Sequence, residues 1–192
     1  MTSVEAYEEA RTFKEFLKEA EANKDLWQAV VERVTLDEES VGRIVGLGGH
    51  WRLLVLADDW CGDAVNTVPV IAGLAEEAPN LELRILGREE IPEIMDAHLT
   101  RGSRSIPIAI LLGEDGRERG WWGPRPRELQ EWFENVGRGL DQAERYPRLR
   151  RWYAGDRGVT TCREIADLVQ CGAEGGEKSY EGTQPCEEVR AA

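Results

Sequence analysis

Several things are scarce in these 192 residues. Cysteine occurs four times, as Cys61, Cys162, Cys171 and Cys186, and no two of them stand in a C-x-x-C pair. That excludes the disulfide framework of small secreted domains. Histidine is limited to His50 and His98, so no zinc-type ligand cluster is legible and no metal or cofactor is expected. Lysine is limited to Lys14, Lys18, Lys24 and Lys178, and net charge is −13. Nucleic-acid binding normally leaves a basic patch or a high pI, so a nucleic-acid partner is not expected. No apolar run approaches the roughly 20 residues of a membrane span. The acidic start, MTSVEAYEEA, lacks the basic end and apolar core of a secretory leader. The expected location is therefore cytoplasmic, with no membrane partner.

What is present reads as a globular chain: 41% of residues are hydrophobic and 32% charged, a balance disordered chains lack. Residues 5–34 carry apolar side chains at helical spacing, with Phe13, Phe16, Leu17 and Ala20 on one face. Leu26, Ala29, Val30 and Val34 continue as a second helix. A third opens at Asp37 and stops at the glycines of 46–49. This part reads as structural.

From residue 51 the pattern changes. WRLLVLA (51–57) is an apolar run of strand length, and a helix follows from about Cys61 to Ala78. LELRILG (81–87) is a second strand, 89–99 a helix, and IPIAILL (106–112) a third strand. Gly113-Glu114-Asp115-Gly116 is a hairpin turn leading to a fourth strand, 117–122. A helix at 127–142 presents Leu129, Trp132, Phe133, Val136 and Leu140 on one side. Strands joined through a helix run parallel, and the hairpin adds an antiparallel strand. The expected fold is therefore α/β, three layers around a mixed central sheet, with extra helices at both termini. Expected boundaries are a helical extension at 1–49, a central domain at 50–142, helices at 143–172 (near 147–154 and 160–170) and a flexible tail at 173–192.

The chemistry concentrates at Trp60-Cys61-Gly62-Asp63-Ala64, where the first strand gives way to a helix. Sites in open α/β sheets gather beyond the carboxyl ends of strands. A cysteine in the first helical turn meets unpaired N–H groups and the positive dipole end. Both favour thiolate, so Cys61 is expected to be accessible and partly ionised. Asp63 has three open readings: a first-turn helix residue, a proton acceptor for Cys61, or a substrate contact. Pro69 lies inside the same helix. Pro107 follows Ile106 directly before a buried strand, where an X-Pro bond is open to the cis form.

In order, the strand, Trp60-Cys61-Gly62, Pro69, Ile106-Pro107, the hairpin and Gly123 resemble the thioredoxin family over residues 50–142. The likeness is to bacterial thioredoxin-like proteins carrying W-C-G-D and additional helices. It implies a three-layer thioredoxin-like fold and a redox site at Cys61, with Trp60, Gly62, Ile106 and Pro107 forming the docking groove. The departures bear on activity. Ala64 stands where the family has its second cysteine, Asp63 replaces a proline, and Val55 stands where a buried aspartate is frequent. The implied activity is single-thiol exchange with a protein or low-molecular-weight thiol or disulfide. The alternative is a catalytically degenerate module that recognises a protein partner through the same groove.

Some features remain to be weighed. Cys162 and Cys171, nine residues apart, lie on opposite faces of a continuous helix and cannot pair. Whether Cys162, Cys171 or Cys186 resolves Cys61 stays open. One of Trp121 and Trp122 is expected in the core, the other beside the site. Asp58 and Asp59 are expected to cap the site loop, and Arg145, Arg148, Arg150 and Arg151 to solvate a helix face.

Overall fold

The computed structural model describes residues 1–175, together with the backbone of 178–179. The chain begins with four short helices, α1 (Ser3–Glu9), α2 (Phe13–Glu19), α3 (Lys24–Val31) and α4 (Glu38–Gly46). The first two start at capping boxes: Thr2 and Thr12 accept from the backbone of Glu5 and Glu15, whose carboxylates reach back to the cap N–H. Asp37 caps α4 through Ser40 N–H.

Strand β1 (Trp51–Leu56) is central, parallel to β2 (Leu81–Leu86) and antiparallel to β3 (Ile108–Leu112). Helix α5 (Gly62–Glu77) connects β1 to β2, and α6 (Pro92–Ala97) lies between β2 and β3. β4 (Glu118–Trp122) returns antiparallel to β3 with an irregularity at Leu111/Leu112. The four-strand order is β2-β1-β3-β4, and a two-residue β5 (Lys178–Ser179) adds parallel to β4. This is the mixed sheet expected from the pattern of strands, in the thioredoxin-like arrangement that the resemblance implies. The outer edge of β2 is occupied by Arg11, which exchanges backbone hydrogen bonds with Ile85. The α1–α2 joint thus blunts an edge that would otherwise invite another strand.

The helices after β4 depart from expectation. α7 is Arg127–Asn135, not 127–142; a 3₁₀ turn at Gly137–Gly139 ends it, leaving Leu140 beyond the helix. Glycines 137 and 139 supply the break, because glycine is the poorest helix former after proline. α8 runs Gln142–Asp156, starting five residues earlier than expected, because Asp141 caps it by accepting from Glu144 N–H. Pro147 sits inside it rather than at its start. α9 is one continuous helix, Val159–Ala173. The expected tail at 173–192 therefore begins within α9, a two-residue strand falls at 178–179, and residues 176–177 and 180–192, Cys186 included, lie outside the described residues.

One apolar core reaches from Ala6 in α1 to Val169 in α9, with Leu53, Val55, Ile71, Ile85, Ile110 and Ile165 wholly enclosed. A smaller cluster joins Leu129, Leu149 and Tyr153. Both Trp121 and Trp122 are buried, so neither borders the site with an open face. Trp122 Nε1 donates to Glu164 (2.6 Å), whose other oxygen accepts from Arg127 N–H at the start of α7.

His98 is buried against Trp121. Its Nδ1 lies 2.7 Å from Ile94 O and its Nε2 3.1 Å from Glu118 Oε2. A carbonyl and a carboxylate only accept, so this geometry favours hydrogen on both ring nitrogens, the imidazolium form. Ser3 donates to the other Glu118 oxygen and fixes α1 to β4. Burial pulls the His98 pKa down, but the hydrogen bonds to Glu118 and Ile94 outweigh it and the net direction is up. The hydrogen bond from His98 lowers that of Glu118. A raised histidine stabilises the fold fully below its unfolded pKa, about 6.5, and loses that contribution as pH rises through the folded value. Glu118 contributes above its unfolded value, about 4.3, and loses it in acid. The stability difference between wild type and His98→Gln, read from urea midpoints, is therefore expected to be larger at pH 5.5 than at pH 8.5. An equal difference at both would contradict the imidazolium assignment.

Candidate functional site

The site is assembled where β1 ends. Ala57 N–H bonds Leu86 O and continues the ladder, and Asp58-Asp59-Trp60 then turns the chain into α5. The N-terminal helices hold this turn. Asp59 Oδ2 accepts from the backbone of Glu21 (2.7 Å) and Ala22 (2.8 Å), and Asp59 O accepts from the buried Trp27 Nε1 (2.9 Å). Asp59 is therefore a tie to the α2–α3 joint, not a cap on the site loop. Asp58 faces Arg88 at 3.6 Å, and burial raises its pKa. Trp60 is 52% exposed, with the Arg88 guanidinium 5.0 Å from its ring centroid. Trp60 thus presents an apolar face at the mouth of the site.

Cys61 is the N-cap of α5 rather than a first-turn residue; its N–H bonds Asp58 O and its carbonyl accepts from Val65. Its Sγ donates to Ile106 O at 3.4 Å. The Ile106–Pro107 peptide is cis, as is Gly123–Pro124. The structure therefore brings Trp60, Cys61, Gly62, Ile106 and Pro107 to one end of the sheet. Among the described residues the N–H of Ile106 has no hydrogen-bond partner.

The expectation of an accessible, partly ionised thiol is overturned. Cys61 is only 7% exposed, and its pKa is pushed up to about 11. Burial is the main cause and the Asp63 carboxylate the second; the backbone N–H groups of Ala64 and Asp63, and Arg125, pull the other way without prevailing. The helix terminus supplies about 0.3–1 kcal/mol, too little against desolvation. At rest Cys61 is a thiol.

Asp63 is itself buried. Its Oδ2 meets Arg125 Nη2 at 2.6 Å and its Oδ1 accepts from Tyr153 OH at 2.8 Å. Arg125 lies 3.9 Å from the Phe133 ring centroid and donates to Gln130 Oε1 at 2.9 Å. Burial drives the Tyr153 phenol well above its ordinary pKa, so it stays a donor. Neither Arg125 nor Tyr153 was identifiable from sequence: each lies far from Cys61 along the chain, and no local pattern marks it.

Cys61 and Cys162 are free thiols. Cys171 takes part in a disulfide, so it is not joined to either of them. Ala64, wholly enclosed beside Cys61, closes the position where a second thiol would stand. Among the described residues no group of three or more His, Cys, Asp or Glu is placed to hold a metal ion.

Gly123 packs directly against the Pro107 peptide. It has φ +133°, and a Cβ there would lie 2.1 Å from Pro107 O. Gly123→Ala is expected to lower stability by more than about 2 kcal/mol, combining backbone strain of about 1–3 kcal/mol with displacement of the Pro107 peptide. An unfolding free energy from urea titration within about 0.5 kcal/mol of wild type would show that this contact is not confining.

Residues 10–142 match a family model described as Thioredoxin. Among solved structures, a protein of unknown function from Pseudomonas aeruginosa superposes with a TM-score of 0.72 at 19% identity, covering 88% of this chain and 98% of that one. An HIV epitope-scaffold superposes with a TM-score of 0.71 at 16% identity, with the same coverage. No curated protein matches in sequence. At these identities the structural likeness speaks for the fold alone.

Proposed function

The chain belongs to the thioredoxin family, and from that premise we propose that it is a single-thiol thiol–disulfide exchange protein, acting through Cys61 on an extended segment docked along the Ile106–Pro107 peptide. The observation that carries the reading is the hydrogen bond from Cys61 Sγ to Ile106 O, beside an Ile106 N–H that is unpartnered among the described residues. A docking strand that pairs with the backbone of Ile106 competes for this carbonyl. Docking then removes a hydrogen bond that favours the neutral thiol.

At pH 7 a thiol of pKa about 11 is roughly 1 part in 10⁴ thiolate, about 300-fold less than a free cysteine. Greater intrinsic nucleophilicity returns about 10–20-fold. The undocked protein should therefore exchange some 15–30-fold more slowly than a free cysteine. Cys61–SH and R–S–S–R′ give Cys61–S–S–R and R′–SH, the proton leaving with R′. A low-molecular-weight thiol R″–SH then attacks the sulfur of R, giving R–S–S–R″ and restoring Cys61–SH. The partner is thus a protein or small disulfide, with a small thiol as co-substrate. A cytoplasmic location belongs to the same proposal, because small thiols are abundant in reducing compartments. Disulfides are uncommon there, so the redox state of Cys171 in cells tests this part separately.

A second reading, recognition of a protein segment without chemistry, is favoured by the burial of Cys61 and by Ala64. The two separate cleanly. On the exchange reading, an extended peptide disulfide forms a Cys61 adduct at least tenfold faster than oxidised glutathione at pH 7.5, and Cys61→Ser forms none. Equal rates would remove the docking gate. No adduct from either, with peptide binding retained in Cys61→Ser, would leave only the binding module.

A further inference from the structure

The ion pair between Asp63 and Arg125 is more enclosed than its surface counterparts, with side chains 11% and 12% exposed. Its parts come from three elements: Asp63 from the first turn of α5, Arg125 from the segment between β4 and α7, and Tyr153 from α8. Both Asp63 oxygens are occupied, one by the guanidinium and one by the phenol. The carboxylate is thereby held in one orientation two residues from the reacting sulfur. Arg125 is held as well, between Gln130 and the Phe133 ring. The other acids of the loop face elsewhere, Asp58 toward Arg88 and Asp59 toward the backbone of Glu21 and Ala22. The charged groups that bear on Cys61 are thus Asp63 and Arg125, acting with opposite sign.

Resting on the exchange reading, we propose that Asp63, Arg125 and Tyr153 form a governor on Cys61: Asp63 adds to burial in keeping the sulfur protonated and occupies Arg125, the charged side chain that favours the thiolate, while Tyr153 from α8 fixes the carboxylate. These are positioning residues, acting on the sulfur through its charge state. While Asp63 holds Arg125, the attraction of the guanidinium for a developing thiolate is largely cancelled. Without the carboxylate the pull of the guanidinium toward the thiolate form is no longer offset.

The two charges make opposite predictions. In the full chain, with adducts assigned by peptide mass spectrometry, iodoacetamide labels Cys61 at pH 8 in proportion to its thiolate fraction. Asp63→Asn, which keeps an oxygen for Tyr153, is expected to label about tenfold faster than wild type, since loss of a nearby like charge lowers a pKa by about a unit. Asp63→Asn with Arg125→Gln removes the remaining charge and should label about tenfold more slowly than Asp63→Asn alone. Arg125→Gln alone should be slower than wild type, and Arg125→Lys should recover most of that loss. Thermal melts identify the folded variants, and should Asp63→Asn fail to fold, the Arg125→Gln and Arg125→Lys pair decides. A pair that merely holds the structure together gives a different pattern. Each substitution would then loosen the site, and every variant would label faster than wild type. That pattern, or equal rates throughout, would overturn the proposal. Oxidised glutathione separates it from its premise. The predicted order of labelling with no Cys61 adduct in any variant would end the exchange reading and leave the governor standing. Adducts with labelling indifferent to both charges would do the reverse.

Discussion

Both carbonyls of the Ile106-Pro107 pair are committed, and the site depends on how. The first accepts the thiol of Cys61; the second faces Gly123 so closely that no side chain fits between them. Because Ile108 opens β3 and Trp122 closes β4, these contacts place the ends of two paired strands against the start of α5. The position of Gly123 also sets the path of the next two residues. Pro124 and Arg125 leave β4 in the one direction that carries a guanidinium to Asp63. The thiol and the charges beside it are thus fixed by one peptide and one missing side chain.

That peptide also explains why the appended helices belong to the site. The turn bearing Cys61 is held from the N-terminal side by Asp59, tied to the α2–α3 joint and to Trp27. From the C-terminal side, Tyr153 reaches Asp63 out of α8, and Glu164 of α9 anchors Trp122 and the start of α7 on either side of Pro124. A thioredoxin-like sheet alone would leave the Asp63 carboxylate without its phenol and the loop without its anchors. The additions enclose the thiol.

The parts of this arrangement visible in sequence are those encoded locally. The strands announce themselves as apolar runs, the hairpin by Gly113–Gly116, and the site by Trp60-Cys61-Gly62 and Ile106-Pro107 in order. Helix starts were equally legible in the T-x-x-E spacing at Thr2 and Thr12 and the D-x-x-E at Asp141, and reading the last would have placed α8 correctly. The charge state of Cys61 was not legible. Local reasoning offers a helix terminus against one carboxylate, two terms of similar size. The deciding term is desolvation, which depends on helices folded over the loop from both ends of the chain. Arg125 and Tyr153 were hidden for the same reason: an arginine between two prolines and a tyrosine in an arginine-rich helix carry no mark of their partner.

A buried thiol of raised pKa suits a motif that has alanine, Ala64, in place of a second cysteine. In a two-thiol site, a reactive thiolate is safe because its neighbour releases any mixed disulfide. Here Ala64 removes that exit. A persistent thiolate at Cys61 would be captured by any small disulfide and left to wait for an external thiol. Under oxidants it would climb toward sulfinic acid, since susceptibility follows thiolate character and exposure. On the exchange reading, a proton kept on sulfur until a segment competes for Ile106 O would confine the reactive form to the docked complex. The burial that argues against a thioredoxin-type reductase therefore fits single-thiol exchange, provided docking and deprotonation are coupled through that one carbonyl.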